Sequence, residues 1–169
     1  MKKLLLIILL PTFVQAQKIA SEKLQSVSEK YAVQSFKEFY DLLSIPNDHG
    51  PEDIEKNVQW CEKTFATRGF TTLRLKTKTV PLLLAERKVK NAKKTVLIYL
   101  QIDGQPVNAK AWDQESPWKP TLKQKDEQAR LPDGQGKWNA IPYEKLYEGY
   151  NRDWRIFARS TSDAKGPAV

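Results

Sequence analysis

The chain is expected to fold as an α/β protein, a layered mixed sheet with flanking helices. Three observations carry that expectation: two segments with helical apolar spacing come first, three runs of β-branched or apolar residues follow, and a short fourth run lies near the end. With 169 residues, 40% hydrophobic and 28% charged, the chain can fill one core rather than two domains.

Before the first helix, Met1-Lys2-Lys3 leads into the apolar run Leu4 to Leu10, then Pro11, then Val14-Gln15-Ala16. A basic start, a short apolar stretch and small residues at the cut together read as a secretory signal peptide over 1–16, cleaved between Ala16 and Gln17. Seven unbroken apolar residues fall far below the roughly 20 that a spanning helix needs. A periplasmic or secreted product is expected, with no membrane association after cleavage. Cys61 is the only cysteine, so an internal disulfide is excluded.

The first helix is expected from Ser21 to Leu43, where Leu24, Val27, Tyr31, Phe36, Phe39, Tyr40 and Leu43 follow the three-and-four spacing of a buried stripe. Ser44-Ile45-Pro46-Asn47-Asp48-His49-Gly50 ends it. A second helix begins near Pro51, with Glu52 and Asp53 complementing the positive end of the dipole. Its buried stripe is Ile54, Val58, Cys61 and Phe65, and Gly69 marks its end.

Strands are expected over Thr71 to Lys76, Val80 to Glu86 and Thr95 to Ile102. Val96-Leu97-Ile98-Tyr99-Leu100 lacks polar alternation, which suits a strand covered on both faces. The intervening Arg87-Lys88-Val89-Lys90-Asn91-Ala92-Lys93-Lys94 is a solvated turn. Formal charge falls from +8 to +6 when Lys2 and Lys3 are removed, and the remaining basic residues are dispersed, so no nucleic-acid partner is expected. From Gly104 to Asp153 the composition turns to Pro, Trp, Lys and Gln, a long connection with one short helix at Tyr143 to Tyr147. Arg155-Ile156-Phe157-Ala158 forms the fourth strand.

Two acids stand at strand ends: Asp103, before Gly104-Gln105-Pro106, and Asp163, in a Gly-containing turn. Anionic oxygens held by rigid elements suit a metal site, and equally suit the capping of a turn.

Tyr99-Leu100-Gln101-Ile102-Asp103-Gly104-Gln105-Pro106, the connection Trp112 to Pro120, and Ala158 to Gly166, with Asp163, Lys165 and Gly166, occur in this order after two helices. In motif and order the chain resembles the zinc-dependent aminoacylase, carnosinase and carboxypeptidase G group, peptidase family M twenty. The resemblance spans nearly all of 17–169 and implies the N-terminal portion of a zinc-exopeptidase-like catalytic domain. It places Asp163 as the carboxylate bridging two zinc ions. Asp103 falls on the catalytic-site acid that orients a metal-bound histidine, and Gln101 stands where the family has that histidine. His49, the only histidine, lies in the loop after the first helix and is not expected to replace it.

The implied activity is metal-dependent hydrolysis of amide bonds in small peptides or N-acyl amino acids. The family's remaining ligands and its general base lie beyond the position matched by Gly166. The 169-residue chain is therefore expected to be a truncated fragment, inactive by itself. A different class of function is a non-catalytic homologue that binds peptide or carbohydrate after losing the metal site. Trp112, Trp118 and Trp138 could serve such binding as aromatic contacts, or could anchor their loop.

Overall fold

In the computed structural model, which describes residues 21–48, 50–130, 136–149 and 151–169, both helices form where their spacing places them. Helix α1 spans Ser21–Leu43 and α2 spans Pro51–Thr67. The expected signal peptide and His49 lie outside the described residues. Pro51 opens α2, with Glu52 and Asp53 in its first turn. Gly69, at φ +76°, takes the left-handed conformation that ends the segment, while Arg68 N–H donates to the Phe65 carbonyl.

Burial along α1 is uneven. Leu42 and Leu43 are fully buried, but Leu24, Val27 and Tyr31, expected on the core stripe, are exposed. Among the described residues, the C-terminal half of the helix is the part that meets its neighbours over an apolar face. There Phe36 and Tyr40 pack against Tyr143, with ring centroids 5.9 and 4.8 Å away. On α2, Val58 and Cys61 are buried and Ile54 and Phe65 half-buried, as the stripe requires.

Strands β1 (Thr71–Leu75) and β2 (Leu82–Glu86) form an antiparallel hairpin in which Thr71 faces Glu86 and Leu75 faces Leu82. The hairpin packs on α2. Arg74 ties the two together, its guanidinium reaching Glu62 at 2.6 Å and Glu55 at 2.8 Å.

Beyond the hairpin, three expectations need correction. The run Thr95 to Ile102 forms no strand; Val96, Leu97, Ile98 and Tyr99 are 73–86% exposed rather than covered on both faces. Apolar composition favours burial but supplies no hydrogen-bonding neighbour, and both sheets among the described residues close without this run.

The long connection is also structured. Strands β3 (Thr121–Arg130) and β4 (Gly136–Ala140) pair antiparallel, and a short helix α3 (Lys145–Glu148) follows. Strand β5 (Arg155–Phe157), placed as expected, pairs antiparallel with β3, so the second sheet runs β4-β3-β5.

Lastly, every strand pair among the described residues is antiparallel, in two small sheets rather than one mixed one. The fold is mixed α/β. Leu122 and Ala158 supply buried apolar positions near this second sheet, and Lys123 lies over the Phe157 ring, 4.7 Å from its centroid.

Candidate functional site

The loop that stops α1 becomes the organiser of the site. Pro46 breaks the helix, and Asn47 behind it is 1% exposed. Its side-chain amide donates to the Ile102 carbonyl at 2.7 Å and to Ser160 Oγ at 3.0 Å. Its backbone carbonyl accepts from Gly104 N–H at 3.0 Å. One buried residue therefore joins the segment carrying Asp103 to the turn preceding Asp163.

Two further contacts reinforce the junction. Asp48 Oδ2 accepts from Val107 N–H at 3.2 Å, and the Arg159 guanidinium donates to the Gln105 carbonyl at 2.7 Å. Gly104 is required by this closeness. A Cβ there would sit 2.8 Å from Asn47 Oδ1 and 2.9 Å from Ser160 Oγ.

The turn after β5 is tightly wound. Ser160 is buried and adopts φ +63°, and its carbonyl accepts from Lys165 N–H at 3.0 Å. The Asp163–Ala164 peptide is cis. At Gly166 a Cβ would lie 2.3 Å from the Thr161 carbonyl oxygen, so only hydrogen fits without a backbone shift.

Lys165, wholly buried, sends its Nζ into the end of α1, donating to the Leu42 carbonyl at 2.7 Å and to the Ile45 carbonyl. Burial pushes its pKa down to about 7, against the opposing pull of the nearby Cys61 and Asp53. Cys61 is buried too, and burial raises its thiol pKa, which suits an inert core residue.

Of the three residues singled out from the sequence, Gln101, Asp103 and Asp163 are all exposed. The Asn47 junction brings their two segments together. Among the described residues, however, no group of three or more His, Cys, Asp or Glu side chains is placed to hold a metal ion. Two carboxylates and an amide fall short of the nitrogen- or sulfur-containing sets of three or four protein ligands that zinc sites use. The residues present do not by themselves fit a complete zinc centre.

The tryptophans divide. Trp138 packs edge-on against Phe157 across the β4-β3-β5 sheet, centroids 5.3 Å apart, which makes it an anchor; Trp112 and Trp118 are half-buried. Two shallow depressions, of about 320 and 440 Å³, lie elsewhere, beside Gln25 and Arg152 and beside Gln124 and Asn139.

Asn47, Ser160 and Asn57 are the contributors that sequence reasoning missed. Asn57 donates 2.7 Å bonds to the Pro46 and Asp53 carbonyls, fixing the loop on α2. Pro46-Asn47-Asp48 reads as a helix stop and nothing more, because its partners lie 55 to 113 residues away.

No protein-family model matches the chain, and no curated protein or solved structure matches it either.

Proposed function

We propose that the chain carries part of the site of an exported metal-dependent hydrolase, acting on amide bonds of small peptides or N-acyl amino acids. The observation that carries this reading is the Asn47 junction. It holds the Asp103 segment and the Asp163 turn together through buried hydrogen bonds, where sequence distance alone would leave them unrelated.

On this reading Asp163 is a zinc ligand, Asp103 an orienting acid, and Gln101 a weak ligand in place of an imidazole. The remaining ligands would come from outside the described residues, within a layered exopeptidase-like domain. Support also comes from Gly166, the glycine that closes the second motif, since a side chain there would collide with the Thr161 backbone oxygen.

Metal analysis and turnover of the protein purified from its own organism test the reading. About two zinc ions per chain, with hydrolysis of dipeptides or N-acyl amino acids that Asp163→Asn abolishes, are the expected results. Metal-free protein without turnover would sink it. Peptide or carbohydrate binding by that metal-free protein would instead favour a binding homologue.

A further inference from the structure

We propose that the segment Thr95 to Gln101 is a self-association strand, through which two copies of this chain pair antiparallel about a two-fold axis at Ile98. The proposal makes no use of a bound metal, although it gives Asp103, the orienting acid of that reading, a partner in the second copy.

Four consecutive apolar residues, Val96, Leu97, Ile98 and Tyr99, are 80, 86, 73 and 77% exposed. Contiguous apolar surface of this kind is uncommon on a monomer and marks an interaction site. Among the described residues, none forms a backbone hydrogen bond with Val96 to Leu100. A strand partner satisfies both deficits at once, covering the side chains and pairing the backbone. Lipid would cover the side chains alone and leave the backbone groups without partners.

Charge selects the occupant and the register. Exposed Lys93 and Asp103 bracket the run. A two-fold axis perpendicular to an antiparallel ribbon sets one residue opposite its own copy. With Ile98 on that axis, Lys93 of each copy faces Asp103 of the other, Thr95 faces Gln101, and Leu97 faces Tyr99. Symmetry makes the ion pair twice, and opposite charges directly across a ribbon are favourable. Moving the axis to Leu97 or Tyr99 sets Asp103 against Asn91 or Thr95 and loses both pairs.

The Asn47 junction leaves the required edge open. Alternate residues of a strand turn their backbone groups to opposite edges. Asn47 takes the Ile102 carbonyl and the Gly104 N–H, which in a strand running on from Thr95 to Gly104 would share one edge. Leu97, Tyr99 and Gln101 then present theirs on the other.

Sedimentation velocity at micromolar concentrations on the chain from Gln17 onward should show a concentration-dependent dimer. Lys93→Asp and Asp103→Lys should each weaken it about tenfold, a change of about 1.4 kcal/mol, while the double exchange restores it. Ile98→Cys should yield a disulfide-linked dimer under diamide, because a non-hydrogen-bonded pair has Cα atoms about 4.5 Å apart, within disulfide reach. Val96→Cys should not, since its two copies would lie roughly 13 Å apart. A monomer at all concentrations overturns the proposal, as does equal cross-linking at both positions or a double exchange no better than its parents. Monomeric chain that binds vesicles of anionic phospholipid would overturn it in favour of a membrane surface.

Discussion

The Nζ of Lys165 donates to the carbonyl oxygen of Leu42 at 2.7 Å, across 123 residues of chain. Together with its bond to the Ile45 carbonyl, it occupies the C-terminal end of α1, where backbone carbonyls lack helical partners. A neutral amine retains two N–H groups, enough for both acceptors, so losing the proton need not break the clamp.

That burial makes stability depend on pH. The amine has a pKa of about 7 in the folded protein against 10.5 ordinarily, so between these values the unfolded chain binds the extra proton. Stability should therefore be lowest at and below pH 7 and rise above it, by up to about 1.4 kcal/mol per unit. The buried Cys61 thiol, its pKa raised, opposes the gain once the unfolded thiol ionises near 9. Urea titrations from pH 6 to pH 9 should show the rise, and Lys165→Met should remove it. A flat profile in the unaltered protein would contradict the buried position of Lys165.

Asn47→Ala should destabilise the protein by about 2–3 kcal/mol, because it strands the buried Ser160 hydroxyl and removes the bond to Ile102. Equilibrium denaturation measures the loss. Limited proteolysis should show earlier cleavage in 101–108, and unchanged protection there would mean that Asn47 does not hold that segment.

Two glycine replacements separate soft from hard collisions. At Gly104 the obstructing atoms are ends of side chains, so Gly104→Ala should cost about 1–3 kcal/mol. At Gly166 the obstacle is the Thr161 backbone oxygen at 2.3 Å, so Gly166→Ala should cost more. Thermal or urea unfolding of the two variants gives the order, and the reverse order would contradict the geometry.

Trp138→Ala should lower stability by about 2 kcal/mol through loss of its packing on Phe157. As a ligand platform it would instead change binding and leave stability intact. Denaturation, with titration of a peptide or oligosaccharide, distinguishes the two.

Both helices, the β1–β2 hairpin and β5 were legible because their signals are local. Apolar spacing marked α1 and α2, Pro51 and Gly69 bounded the second helix, and β-branched runs marked the strands. The β3–β4 pair was not legible, since Thr121–Arg130 is largely polar and reads as connection. Pro132-Asp133-Gly134, between its strands, was the turn signal that could have revealed it. The Thr95 to Ile102 run failed in the opposite sense: its composition suits a buried strand, but composition does not provide the neighbour on which a strand depends.

By itself, then, the sequence determined the helices, the hairpin and β5, because each depends on residues within a few positions of one another. Only the tertiary structure decided that Asn47 would bind Ile102 and Ser160, that Lys165 would cap α1, and that Leu24, Val27 and Tyr31 would stay exposed. Those outcomes depend on which distant groups meet. A hydrogen bond spanning 55 to 123 residues leaves no periodic trace in the chain that forms it.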